Sequence, residues 1–380
     1  MKNHYIPRLL LKQFAEKEKV NVYDYGTAAF RVRKLKNTFA QEDIFDSELE
    51  QAFATKLEGP FGNLLHHKLL SGDSVAIDRE ENLLMRKFLM IQFLRAPIVN
   101  TTWEEMVERT KLKDHPSVQA KEFLERHHPE FRELFDKARP SKETYISDLK
   151  KAMEVTSLEE LANPANLDKI SLSLQFAVRH AMASVIAFWD CTEIGQEFIL
   201  PKLPGISQMD QISVLHKSTV LSQLREEKKG YSKVQEREID RLLFGCVSYS
   251  ENFTVYPLTP TRAMVCFSPY FRAFFPVRDA MDEHDVYPPL LPREQFDKHF
   301  YKPMRLELFT PCKSIANQYY EYRVKQLQME ELLGLNALML DMETEEFVFH
   351  DFNRIRDSFW YYDHKAQFAL RKKHDFRQWG

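Results

Sequence analysis

His4, Tyr5 and Arg8 crowd around Pro7 at the start of the chain, directly ahead of Leu10, Leu11 and Phe14. Polar rings beside a rigid turn are costly to bury without partners. The run therefore predicts an ordered N-terminal segment that hydrogen-bonds to something specific. A second polar group stands inside an apolar helix pattern. Gln92 and Arg95 are three apart and share one helix face. Leu83, Leu84, Phe88, Leu89, Ile91, Phe93 and Leu94 make that helix apolar nearly all round, which marks it as buried. A buried guanidinium requires an acceptor, and Glu58 on the preceding antiparallel helix can supply it. A histidine beside a glutamate can move protons in acid–base catalysis or hold a metal. His4 and Glu58 are the candidate catalytic pair, with Tyr5, Arg8, Gln92 and Arg95 as candidate substrate-binding groups. A divalent metal is the cofactor that this pairing allows. The plainer alternative is a structural ion pair that sets helix register.

Other residues offer less chemistry. His66 and His67 are adjacent, point to different sides of a helix and cannot share a metal on one face. Like His127 and His128, they fit a dipole interaction near a helix end. Arg109 and His115 have a spacing similar to that of the helical HEPN ribonucleases, but Pro116 follows at once. No HExxH, GxSxG, P-loop or GxGxxG pattern occurs. Cys191, Cys246, Cys266 and Cys312 are far apart and form no CxxC pair. That spacing suits reduced thiols, not a zinc ribbon or a disulfide framework. Only 10 glycines among 380 residues argue against a Gly-rich phosphate loop, and a net charge of −3 excludes a global basic field. The N-terminus lacks a basic segment followed by an apolar leader core. The apolar stretch from Leu83 to Val99 is broken by Arg86, Lys87, Gln92 and Arg95, so it is not a membrane span. A cytoplasmic location with no membrane contact is expected. At the C-terminus, Phe359 to Tyr362, His364, Lys365, Phe368, Arg371 to His374, Phe376, Arg377 and Trp379 interleave aromatic and basic side chains. Such a mixture stacks on bases and neutralises phosphates, or docks on the protein itself or on a protein partner.

The elements that must position these groups follow from periodicity. Pro7 starts a short helix through Phe14. Val20–Tyr25 and Ala29–Val32, turned by Gly26-Thr27, read as a β-hairpin. Residues 37–46 read as a loop. Asp46 or Ser47 caps a helix that kinks at Gly59-Pro60, and Asp78 caps a second, running to about Ala96. Further helices are predicted over 101–137, 141–162, 168–189, 210–226, 232–248 and 313–340. The run from Thr192 to Leu200 reads as a tight hairpin. Phe253–Tyr256, Arg262–Phe267 and Phe347–Phe349 read as strands.

The opening His4-Tyr5-Ile6-Pro7-Arg8 with Leu11, Lys12 and Phe14 resembles the family known as domain of unknown function 4238, found mainly in bacteria. Val22-Tyr23-Asp24, Glu42 to Phe45, Glu58, Gln92 with Arg95 and Pro97, Trp189 to Ile199, Pro257 to Pro260 and Asn317 are similar to its later landmarks. The family usually carries an aspartate where this chain has Lys202, so any function of that acid is lost or moved here; Lys202 itself is a further candidate substrate-binding residue. The resemblance implies a fold more than a mechanism, and a setting in bacterial defence or toxin loci.

The fold class expected is α+β, predominantly helical, with short antiparallel β-hairpins near the N-terminus and after Trp189. Residues 1–340 form one domain and residues 341–380 an aromatic and basic extension able to meet nucleic acid or a protein partner. Two functions stay open. One is a hydrolase or nuclease that uses the His4, Glu58 and Arg95 group. The other is a non-catalytic sensor or interaction module in which that group is structural.

Overall fold

The computed structural model describes residues 2–42, 44–95, 141–155, 157–167, 169–202, 206–209, 252–267, 319–342 and 345–364. The helices expected over 101–137, 210–226 and 232–248, and the residues after His364, lie outside them. So do His115, His127, His128, Cys246, Cys312 and Asn317.

The chain begins with β1 (Lys2–His4), α1 (Arg8–Gln13), β2 (Lys19–Asp24), β3 (Ala29–Lys34) and β4 (Ala40–Glu42). The expected hairpin is present, with β2 and β3 pairing antiparallel from Lys19↔Lys34 to Asp24↔Ala29. Within the expected loop, β4 pairs with β1. A helical run over 47–69, α2, follows. It is capped by the Asp46 carboxylate, which accepts from the Leu49 amide at 2.8 Å. It does not break at Gly59-Pro60. Two π-helical stretches, Phe53–Glu58 and Leu65–Leu69, flank an α-helical turn at Gly59–Leu64. Pro60 stands where the bonding changes from π to α, so its missing amide interrupts little.

After β5 (Ser74–Asp78) comes α3 (Arg79–Arg95), capped by Asp78 as expected, and buried along most of its length. The region expected as helix over 141–162 is α4 (Lys142–Glu154) and α5 (Leu158–Ala162). α6 (Pro164–Leu167) and α7 (Leu172–Ala183) follow. The helix expected to reach Trp189 stops at Ala183, and β6 (Val185–Asp190) replaces its last turns. Beyond it lie β7 (Leu200–Pro201), β8 (Ile206–Met209), β9 (Asn252–Pro257) and β10 (Arg262–Phe267). The chain continues with β11 (Tyr319–Gln326), α8 (Met329–Met342), β12 (Glu346–Phe349) and α9 (Phe352–His364). The helix expected over 313–340 is therefore corrected. Its described first part is strand, and the helix begins only after Gln328, whose amide donates to the Glu331 carboxylate at 2.8 Å.

The hairpin expected after Trp189 is also corrected. Thr192–Ile194 is a single 3-10 turn closed by Gly195 at φ 68°, and the chain then leaves for a different sheet. The Phe198 amide donates to the Pro260 carbonyl at 2.7 Å, so this segment leans on the β9–β10 turn and not on β6. The six-stranded sheet has the order β5-β11-β6-β10-β9-β8, with β11 and β6 parallel and the other pairs antiparallel. The four-stranded sheet has the order β3-β2-β12-β7. Helices and antiparallel pairs together make an α+β fold. No helix among the described residues is long and apolar enough to cross a membrane.

Two apolar cores result. One packs α2, α3, α4 and α7 together, with Phe61 and Phe88 stacked at 3.6 Å between ring centres. The other is aromatic and surrounds Tyr23, which stacks on Phe347 at 5.3 Å and meets Tyr25 edge-on at 5.2 Å.

Candidate functional site

The Arg95 guanidinium is the hub of the first site. It leaves the last turn of α3 with a side chain only 1% exposed. One terminal nitrogen donates to Glu58 Oε1 at 2.6 Å and the other to the His4 carbonyl at 2.7 Å. Its plane lies over the Phe53 ring, 4.6 Å from the ring centre, with the Phe45 ring at 5.9 Å. Three chain segments are thus tied at one charge: the N-terminal strand, the first π-helical turn of α2, and the end of α3.

The His4 ring is buried. Burial holds its pKa below the usual histidine value, and the Arg8 and Arg95 charges add to this. A hydrogen bond to the Leu35 backbone works the other way, as does Glu58. His4 Nε2 has no hydrogen-bond partner among the described residues. That leaves Nε2 as the ring nitrogen open to an added donor or acceptor.

Gln92, one turn before Arg95, is 1% exposed, and both atoms of its amide group lack partners among the described residues. Glu50 joins the cluster from α2. Its Oε1 lies 4.0 Å from Arg95 and is also buried without a hydrogen-bond partner there. Burial pushes the Glu50 carboxyl up, against the opposing pull of Arg95 and of the nearby Asn3 amide. The Asn3 carbonyl oxygen accepts from the Ile44 and Phe45 amides at 2.9 and 3.2 Å, which fixes the loop that carries Phe45. The Tyr145 hydroxyl donates to the Leu94 carbonyl at 2.6 Å, and burial raises its pKa.

The other candidates stand apart. Tyr5 turns its hydroxyl to Gln41, and the Lys202 ammonium lies 5.5 Å from the centre of its ring while pairing with Glu345. Arg8 is half exposed and pairs with Glu18 at 3.7 Å. The structure thus brings His4, Glu58, Gln92 and Arg95 into one region, places Tyr5 and Lys202 together beside β12, and leaves Arg8 at the surface. Among the described residues, no three His, Cys, Asp or Glu side chains converge as metal ligands would. His66 and His67 are exposed.

Sequence reasoning missed Glu50, Asn3 and Tyr145. Glu50 had a signal, because it lies in the same helical run as Glu58 and just over two turns before it. Asn3 adjoins His4 but carries no chemistry of its own. Tyr145 is 50 residues away and left no trace in spacing.

No curated protein and no solved structure matches this chain. A family model described as "Protein of unknown function (DUF4238)" matches residues 2–206, the stretch that supplies His4, Glu50, Glu58, Gln92, Tyr145, Arg95 and Lys202, and the chain belongs to that family.

Proposed function

We propose that this protein is a hydrolase working by acid–base catalysis, with His4 as general base. The observation that carries the reading is the buried, unpartnered Nε2 of a ring held neutral by burial. Its backbone is fixed by Arg95, so an approaching water or hydroxyl would meet a preorganised acceptor. Glu50 is the candidate acid, since burial raises its pKa. Glu58 is a positioning residue that holds the Arg95 fork. A nuclease in a bacterial defence setting is the narrower form of this reading. The charge balance supports it less, because Glu58 already occupies the Arg95 guanidinium that would bind a phosphate.

One observation favours the second reading, a non-catalytic interaction module. The chain of bonds from Glu58 through Arg95 to the His4 carbonyl is complete by itself and ties down the N-terminus. The test is a panel of ester, amide, DNA and RNA substrates offered to the purified protein and to His4→Gln. Turnover of one class, reduced at least about 100-fold in a folded His4→Gln variant, is the expected result. Turnover unchanged in that variant, or none on any substrate, would leave the structural reading in its place.

A further inference from the structure

We propose that the exposed face of α9 binds single-stranded nucleic acid, with Trp360 as the ring on which a base stacks. The proposal concerns a surface apart from the Arg95 cluster and does not depend on the hydrolase reading. The helix divides the aromatic and basic run that begins at Phe359. Ile355, Phe359, Tyr361 and Tyr362 are buried in the second core, whereas Arg356, Trp360 and His364 are exposed. These three are four residues apart, so they form one stripe along the helix, with a rise of about 6 Å from each to the next. Trp360 keeps 55% exposure. The His364 ring lies nearly flat on its indole, with 4.6 Å between ring centres and 17° between planes. The His364 Nδ1 is 2.8 Å from the Trp360 carbonyl, a bond that fixes the imidazole in place. Among the described residues no other ring meets the indole, so the platform is backed on one side and open on the other.

Charge complementarity selects the occupant. Arg356 pairs with no carboxylate among the described residues, while Arg354 is offset by Asp351 at 3.9 Å. Of the other acids on α9, Asp357 already accepts from the Gln196 amide at 3.1 Å, and Asp363 is buried. The sequence after His364, residues 365–380, adds five Lys or Arg and one Asp. The whole chain carries a net charge of −3, so this is a local basic region on a protein with no global basic field. A single strand offers what both features complement, a row of phosphates and bases whose faces are free. A duplex keeps those faces stacked on one another. An acidic protein segment would pair with Arg356 but would give the indole no flat partner. An anionic membrane needs an apolar helix face below the basic groups, and that face of α9 is already buried in the core.

The experiment follows the fluorescence anisotropy of a labelled oligothymidylate of about 20 nucleotides, titrated with the full chain at about 50 mM salt. Saturable binding is expected. Oligouridylate should bind alike, because base faces and phosphates are common to both strands. A duplex of the same length should bind at least tenfold more weakly, and phosphatidylserine vesicles should not bind. Trp360→Ala should weaken oligothymidylate binding about 5- to 150-fold, and Trp360→Phe should restore most of it. Arg356→Gln should reduce the salt dependence by about one phosphate contact. Val32→Ala, at an exposed position on β3, should change nothing. Trp360 and Arg356 are both exposed, so their variants leave the buried core intact. No binding by the wild type, equal binding of the duplex, or unchanged affinity in Trp360→Ala would overturn the proposal. Vesicle binding without oligonucleotide binding would overturn it in favour of a lipid surface. Tighter oligonucleotide binding by a chain ending at His364 would overturn it in favour of residues 365–380 as the occupant of this face.

Discussion

Glu197→Gln should flatten the dependence of stability on pH between about 5 and 8. Glu197 is fully buried between the 3-10 turn and β7. Its Oε1 accepts from the His350 and Asp351 amides at 2.7 and 2.8 Å, just ahead of α9, while Oε2 is buried without a partner among the described residues. Burial outweighs those two amides and raises its pKa from 4.5 to about 7. The sign follows from proton counting. Between these values the folded chain holds a proton that the unfolded chain has released, so stability falls as pH rises. The full difference is about 3 kcal/mol, of which about 2.5 lies between pH 5 and pH 8. In Glu197→Gln the amide oxygen still accepts from both backbone amides, but the group no longer titrates. The absolute stability of the variant mixes this gain with the cost of a buried NH2 group, about 1–3 kcal/mol. The double difference does not. Urea unfolding of both proteins at pH 5 and pH 8 gives four free energies. The wild type should lose about 2.5 kcal/mol more than the variant across that interval. Equal losses in the two proteins would refute the argument that burial dominates at Glu197.

Other expectations concern single groups. Arg86→Ala should lower the melting temperature at least as much as Arg95→Ala. Arg86 donates to the Ala181, Met182 and Ser184 carbonyls at 2.7, 3.2 and 2.9 Å and to Asn82 at 3.2 Å. A clearly larger effect at Arg95 would sink this. Lys87 donates to the Val155 carbonyl at 2.8 Å at the end of α4, and burial lowers its pKa from 10.5 to about 8. Here the unfolded chain holds the extra proton, so the wild type should gain stability relative to Lys87→Met as pH rises from 8 to 10.5. Parallel pH curves would count against it. Gly195→Ala should cost about 1 kcal/mol and little more, because φ is 68° but nothing lies within 4 Å of the added Cβ. A loss of several kcal/mol in chemical denaturation would show that the turn has less room than this.

What could be read from the sequence was local. The caps at Asp46 and Asp78 and the β2–β3 hairpin depend on neighbours a few residues away. The Glu58–Arg95 pair was legible because a charge inside an apolar helix demands a partner and few acids were in reach. β6 and β11 were misread as helix because a short apolar run fits either period. Their form is decided by distant partners: β11 pairs with β5 at Tyr320↔Ile77 and, in parallel, with β6 at Val324↔Phe188. Arg86, just as deeply buried, was left out of the candidate group for a related reason. Its acceptors include three backbone carbonyls at the end of α7 and one amide on its own helix. Backbone acceptors leave no residue type to read. The Glu197 carboxylate is hidden in the same way, since both of its partners are amides of the main chain.

The last expectation concerns residues 341–380, read from sequence as an extension. β12 lies inside the four-stranded sheet, bonded to β2 on one side and β7 on the other. α9 packs on α8. Phe347, Val348, Ile355, Phe359 and Tyr362 are all 0% exposed, and Phe349 is 2% exposed. The family match ends at residue 206, so β2 and β7 come from the matched stretch and the strand between them does not. A chain truncated after Leu340 would lose the burial of six large apolar side chains and leave Tyr23 and Phe30 without the rings of Phe347, Phe349 and Phe359. At about 1.5–3 kcal/mol for each side chain the loss is about 9–18 kcal/mol, against a total of about 5–15 for an ordinary domain. The truncated chain should therefore fail to melt cooperatively and should aggregate. Truncation after His364 keeps β12 and α9, and should retain the near-ultraviolet signal of the aromatic core. If the chain ending at Leu340 instead gives a monodisperse protein with wild-type melting, the sheet does not need β12. The second core would then have to be held by the β2–β3 hairpin, α8 and the inward residues of β6, β9 and β10.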